Sequence, residues 1–109
     1  MRRVSFDFDN TLTLPHIQEI AAEYVHQGHD VYITTSRRDK IDYVEIENAE
    51  VFEMAKKLRI PKGNIRFTNY EDKAQYLRGF WRHYDDDQYE LDMIEQYAPE
   101  CQGILVKRK

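Results

Sequence analysis

Four short segments of this sequence carry residue types that bind and transform phosphate groups. Two carboxylates stand two positions apart in residues 7–11, which read DFDNT, and hydroxyls precede an arginine in residues 34–37, which read TTSR. A lysine stands at position 73, and three acids run together over residues 85–87. Carboxylates gathered at one point resist being ionised together, and a hard divalent cation relieves that repulsion. A hydroxyl and an ammonium suit a phosphate group. The four segments therefore predict a Mg²⁺ site beside a phosphate pocket.

The elements that must position these residues alternate between strand and helix patterns. β-Branched and aromatic runs predict strands over residues 4–8, 31–35, 65–68, 81–84 and 103–106. Apolar residues at helical spacing predict helices over 15–27, 45–58, 71–79 and 88–97, with a polar and basic loop over 36–44. This alternation predicts a three-layer α/β/α, Rossmann-like fold with a five-stranded parallel sheet.

Each chemical segment ends or follows one of these strands, or opens the helix after one. Ligands of parallel sheets bind outside the carboxyl ends of the strands, at the point where the strand order reverses. Taken singly, each segment also has an ordinary structural explanation, such as a solvated acidic turn, a strand residue, a surface lysine or a helix N-cap. Their order and common placement favour one site.

Composition limits the classes of function. The chain has 109 residues, which fits one domain over 1–109, and its net charge is −4 from 16 basic and 20 acidic residues. That balance argues against a broad nucleic-acid or membrane-binding face. A single cysteine, Cys101, excludes an intrachain disulfide and is expected to be a buried small hydrophobe. The apolar runs are short and no apolar signal region follows the N-terminus, so we expect a soluble, cytoplasmic protein.

The sequence resembles the haloacid dehalogenase (HAD) superfamily, in particular its phosphatase branch. The first motif of that family, Asp-x-Asp-x-Thr after a hydrophobic strand, corresponds to residues 7–11. The Thr or Ser that ends the second strand corresponds to Thr35, the later lysine to Lys73, and the acidic pair after the fourth core strand to Asp85 and Asp86. The motifs occur in order and span nearly the whole chain. Position 10 is Asn where many relatives have Gly.

The resemblance implies a role for each matching residue. Asp7 would be the nucleophile that forms an aspartyl-phosphate, and Asp9 the general acid and then the general base. Thr35 and Lys73 would hold the phosphoryl group. The acid at position 9 favours phosphate transfer over dehalogenation.

The resemblance also implies a bound Mg²⁺ and a set of substrate contacts. Ligands of the cation would be Asp7, the backbone carbonyl of Asp9, and an acid of the 85–87 run, with Asp86 favoured and Asp85 supporting. The register within that run stays open by one residue. Candidate substrate-binding residues are Thr11, Ser36, Arg37 and Arg38.

Many relatives carry an inserted cap domain, and this chain has no room for one between residues 11 and 35 or between 36 and 73. An open site goes with large substrates or with a lid from another subunit. Among capless members, the phosphatase domain of phage polynucleotide kinase is similar in its Val-Ser-Phe-Asp-Phe-Asp start and its Ser/Thr-x-Arg second motif. The basic loop over 37–43 could grip a polyanion, with Tyr43 stacked on a base, or could simply be solvated.

The leading hypothesis is a Mg²⁺-dependent phosphomonoester hydrolase that acts on a small molecule or on a macromolecular end. The substrate stays open among a nucleotide, a nucleic-acid end, a phosphosugar and a phosphoprotein. A phosphoacceptor receiver domain is an alternative, but it needs an aspartate after the third strand, where residues 67–69 read FTN. A catalytically silent binding or regulatory module on the same fold is a second alternative. The four histidines show no metal-binding spacing, and His83 is expected to pack within the fourth strand.

Overall fold

A computed structural model describes residues 1–107. Five strands form one sheet: β1 (Arg3–Phe6), β2 (Asp30–Thr35), β3 (Ile65–Phe67), β4 (Arg82–Asp85) and β5 (Gln102–Leu105). Their order is β3-β2-β1-β4-β5, and all neighbouring strands pair in parallel. The predicted α/β fold with a five-stranded parallel sheet is confirmed. Within the described residues, the segment between β1 and β2 is helical, and the segment between β2 and Lys73 contains helices and β3. Neither segment contains a cap domain.

The described residues form four α-helices: α1 (Pro15–His26), α2 (Val44–Glu47), α3 (Ala49–Leu58) and α4 (Gln88–Tyr97). The helices α1 and α3 pack on one face, where apolar residues at helical spacing meet the sheet. These residues are Ile17, Ala21, Tyr24, Val51, Ala55 and Leu58. Helix α4 covers the other face with Leu91 and Ile94. The sheet is therefore the middle of three layers.

The central strand β1 is covered on both faces, which explains its composition. Val4 and Phe6 are fully buried against the α1 side, while Ser5 faces the other side and is also fully buried. The Oγ atoms of Ser5 and Thr34 lie 2.6 Å apart, so these buried hydroxyls satisfy each other across the β1–β2 pair.

Two helix predictions needed correction. The helix expected over 45–58 is divided at Asn48, where the side-chain amide donates to the carbonyls of Val44 and Arg38. The prediction of a helix over 71–79 is wrong, because only one 3₁₀ turn, Lys73–Tyr76, forms there. Asp72, inside this segment, has an extended backbone (φ −61°, ψ 130°), which a continuous helix cannot contain. The apolar residues of the segment still pack, since Ala74, Leu77 and Phe80 are buried beside α4.

The predicted bounds of the five strands and of α1 agree with the structure to within two residues, and helix α4 has the predicted bounds. Cys101 is a free, buried cysteine, as expected. Within residues 1–107, no helix combines the length and apolar character that crossing a lipid bilayer requires.

The strand order places a switch point beside β1. The chain runs outward from β1 to β2 and β3, and then returns across the sheet to β4 on the other side of β1. The helices before and after this return lie on opposite faces, so a crevice opens at the carboxyl ends of β1 and β4. The acidic segments 7–9 and 85–87 follow these two strand ends.

Candidate functional site

A tight turn after β1 presents Asp7. The Leu12 N–H donates to the Asp7 carbonyl (3.1 Å), and Asn10 adopts a left-handed conformation with φ of 60°. Asparagine tolerates this conformation better than most residues, which fits its presence in this turn. The turn brings the Thr11 hydroxyl to Oδ2 of Asp7 at 3.1 Å. The Asp7 N–H donates to the carbonyl of Tyr84, so the nucleophile candidate is also fixed to β4.

Lys73 bridges the two strand ends. Its Nζ lies 2.7 Å from Oδ1 of Asp7 and 2.8 Å from Oδ2 of Asp85. All three side chains are buried, and that of Lys73 is only 3% exposed. A third acid, Glu90, accepts a hydrogen bond from the Lys73 backbone N–H at 3.3 Å. The segment 71–79, which is not a helix, thus places the Lys73 ammonium between Asp7 and Asp85.

The buried groups perturb one another's ionisation. Burial raises the pKa of Asp7, and the charge of Asp85 adds to this, whereas Lys73 opposes it. Burial also acts to raise the pKa of Asp85, but hydrogen bonds and charges from His83 and Lys73 outweigh it and leave that pKa lowered. Burial acts to lower the pKa of Lys73, and the two carboxylates reverse the effect and raise it. The cluster therefore holds more acid than its one ammonium can neutralise.

Three carboxylates have the placement of a cation site. One oxygen each from Asp7, Asp85 and Asp86 lie within 4.8 Å of one another. Carboxylate oxygens are the donors that Mg²⁺ prefers, and these three residues therefore fit that cation.

Asp9 lies apart from this cluster. Its carboxylate is half-exposed and accepts two hydrogen bonds from Arg37, from Nη2 at 2.8 Å and from Nε at 3.0 Å. The Nη1 atom of the same guanidinium donates to Glu50 on α3. The expected general acid is therefore held by the expected substrate-binding arginine.

The remaining candidate residues occupy the carboxyl end of β2 and the rim beyond it. Thr35 is fully buried, and its Oγ1 accepts from the Arg37 N–H at 3.3 Å. Ser36 is half-buried, and its carbonyl accepts from the Tyr70 N–H at 2.9 Å. Arg38 is exposed, and its guanidinium carbon lies 5.8 Å from the centre of the Tyr70 ring. The structure thus joins Asp7, Thr11, Lys73, Asp85 and Asp86 directly, and leaves Arg38 on the rim.

Sequence reasoning missed three residues that contact the site. His83 was expected only to pack, yet its Nε2 lies 2.8 Å from Oδ2 of Asp85. Its position two residues before Asp85 was an available signal, because residues two apart on a strand share a face. Glu90 and Glu50 gave no such signal, since only the packing of α4 and α3 brings them to Lys73 and Arg37.

The fold and site define an α/β protein with a buried acid–lysine cluster at the switch point of a parallel sheet. No protein-family model matches the chain, and a search of curated proteins found no match. The site and the four sequence motifs are therefore the features that indicate its function.

Proposed function

We propose that this chain is a Mg²⁺-dependent phosphomonoester hydrolase of the HAD type that works through an aspartyl-phosphate on Asp7. The observation that supports this most is the buried Lys73 between Asp7 and Asp85, with Asp86 beside them at the switch point. Replacing a buried ion network with apolar residues is often neutral or stabilising, so stability alone explains such a cluster poorly. Buried acids with perturbed pKa values in a crevice are typical of functional sites.

Asp7, Asp85 and Asp86 would hold the Mg²⁺, and the Asp9 carbonyl is a further candidate ligand. When bound, Mg²⁺ offsets negative charge on the phosphate and on the carboxylates, and it orients the phosphoryl group. Lys73 already sits between two of these acids and would share that electrostatic role.

Two steps describe the proposed reaction. In the first, an Asp7 carboxylate oxygen bonds to phosphorus, the bond from phosphorus to the leaving oxygen breaks, and that oxygen takes a proton from Asp9. In the second, water bonds to phosphorus, its proton passes to Asp9, and the bond from Asp7 to phosphorus breaks. Inorganic phosphate leaves, and both aspartates return to their starting states.

The Asp9–Arg37 pair has a consequence for the first step. Both carboxylate oxygens of Asp9 accept hydrogen bonds from Arg37, so this side chain is held away from a leaving oxygen while the pair is intact. Either Asp9 must leave Arg37, or Arg37 must turn to the substrate phosphate, before Asp9 can protonate a leaving group. An incoming phosphate dianion competes with Asp9 for the guanidinium and so favours this exchange.

Substrates with an aromatic base are part of the proposal, as nucleotides or nucleic-acid ends. Tyr43 and Tyr70 follow β2 and β3 at the site's edge of the sheet, and their side chains are 75% and 74% exposed. The Tyr70 ring lies beside the Arg38 guanidinium, and an exposed aromatic ring beside a cation suits base stacking next to a phosphate.

Hydrolysis of an aryl phosphate, measured with Mg²⁺ and with EDTA, tests the proposed function. We expect turnover that requires Mg²⁺ and that falls at least about 100-fold in Asp9→Asn. The matched control is Asp92→Asn on the exposed side of α4, which should leave turnover unchanged. If aryl phosphate and a panel of phosphorylated nucleotides and oligonucleotides are all inert, the silent binding module becomes the better hypothesis.

A further inference from the structure

His83 is a fully buried side chain to which the proposed reaction assigns no role. It lies on β4 two residues before Asp85, and its Nε2 is 2.8 Å from Oδ2 of that carboxylate. An ionised carboxylate can only accept hydrogen bonds, so Nε2 carries the proton. Among the described residues, the other ring nitrogen, Nδ1, has no hydrogen-bond partner.

This arrangement is unfavourable for stability if packing is its only purpose. A buried polar atom without a hydrogen-bond partner is unfavourable, because it has given up its hydrogen bonds to water. An apolar residue such as leucine would fill the space below the site without stranding a ring nitrogen. The hydrogen bond to Asp85 is therefore the feature that distinguishes histidine from an apolar residue at position 83.

The hydrogen bonds of Asp85 are divided unequally between its two oxygens. Oδ2 receives both His83 Nε2 and Lys73 Nζ, whereas Oδ1 receives only the Asp87 N–H at 3.1 Å. Since a carboxylate oxygen can accept about two such bonds, the remaining capacity lies on Oδ1. Hydrogen bonds to both oxygens fix the plane of the Asp85 carboxylate, and His83 donates one of these bonds from inside the protein.

We infer that His83 is a positioning residue, which orients Asp85 so that this carboxylate can bind a divalent cation together with Asp7 and Asp86. The inference rests on the proposed Mg²⁺ site. His83 acts only through Asp85 and contacts neither the cation nor the substrate. Hydrogen-bond partners of metal ligands commonly contribute 10- to 100-fold to metal affinity, which sets the expected size of the effect.

Three substitutions separate this role from simple packing. The amide of His83→Gln can reach the place of Nε2 and donate to Asp85, whereas that of His83→Asn is too short. His83→Leu fills the space with no donor. Mg²⁺ affinity of the full chain is measured by calorimetric titration with MgCl₂, without substrate. We expect the Gln variant to stay within about 3-fold of the wild type, and the Asn and Leu variants to lose about 10- to 100-fold.

A neighbouring substitution controls for general loosening of β4. Tyr84→Phe removes the hydroxyl that bonds to Tyr24 on the opposite face of the sheet, 2.8 Å away. It should lower the unfolding temperature and leave Mg²⁺ affinity unchanged.

The outcomes separate the inference from the proposal beneath it. Wild-type affinity in the Asn or Leu variant overturns the role of His83, and so does a 10-fold loss in the Gln variant, even if the other two fail to fold. Absence of Mg²⁺ binding in the wild-type protein overturns the proposed function itself.

Discussion

The replacement of Lys73 by methionine gives the sharpest test of the buried cluster. Methionine matches the length and apolar stem of lysine but removes the ammonium that contacts Asp7 and Asp85 at 2.7 and 2.8 Å. Removing one partner of a buried ion pair typically costs about 3–5 kcal/mol, because a buried charge loses its compensation. Asp7 can take up a proton, which limits the loss, so we expect about 3 kcal/mol.

A change of this size is easily measured. For a domain of about 100 residues, each kcal/mol lowers the midpoint of thermal unfolding by roughly 4–8 °C, so Lys73→Met should lower it by about 12–24 °C without Mg²⁺. Mg²⁺ should stabilise this variant more than the wild type, because the ammonium no longer competes for the same carboxylates. Thermal and urea denaturation, each with and without MgCl₂, measure the loss of stability and the stabilisation by Mg²⁺.

The same substitution at an exposed ion pair provides the control. Lys62 contacts Glu45 with both side chains more than two-thirds exposed, and Lys62→Met should change stability by less than about 1 kcal/mol. Equal, small losses for the two variants would refute the argument that Lys73 compensates buried charge. Equal Mg²⁺ stabilisation of Lys73→Met and the wild type would refute the shared carboxylate site.

Further predictions concern charge, substrate and packing. Asp7→Asn should be at least as stable as the wild type without Mg²⁺, because burial raises the pKa of Asp7 and so disfavours its ionised form; a loss above about 1 kcal/mol in thermal unfolding contradicts this. Arg38→Glu should raise KM more for phosphorylated nucleotides and oligonucleotides than for an aryl phosphate, and equal effects argue against a role for this rim in substrate choice. Burial raises the pKa of Cys101 to about 12, so its thiol should react with iodoacetamide at pH 8 only when the protein unfolds, and rapid alkylation of the native chain argues against that burial.

Local sequence patterns were sufficient for the sheet and for most of its helices. The β-branched and aromatic run 31–35 predicted a strand, and Pro15 with the apolar spacing after it predicted the start of α1. The convergence of residues 7, 35, 73 and 85 on one edge followed from parallel topology alone. These features depend on residues close together in the chain or on a general rule of parallel sheets.

The features that the sequence did not reveal depend on contacts between distant residues. The segment 71–79 has helical composition, but the loops that follow β2 and β3 bond to each other, with Asn69 and Tyr70 donating to the carbonyls of Arg37 and Ser36. Within the segment, Asp72 is extended, and Lys73 is held by hydrogen bonds to distant acids of the site, so tertiary contacts prevail over helix propensity. Asp9 and Arg37, which pair in the structure, are 28 positions apart in the chain. The period-two alternation of a strand would have placed the Asp9 side chain on the same face as that of Asp7.

The most direct test of the central claim is to trap phosphate on Asp7. The Asp9→Asn variant is mixed with Mg²⁺ and an aryl phosphate, whose leaving group needs no proton donor, so the first step proceeds while the second slows. Borohydride reduction, which converts a phosphorylated aspartate to homoserine, is followed by peptide mass spectrometry. The account predicts homoserine at position 7, and none when Asp7 is also replaced by Asn. The account is contradicted if the wild-type protein hydrolyses the same substrate but the Asp9→Asn variant yields no homoserine at position 7.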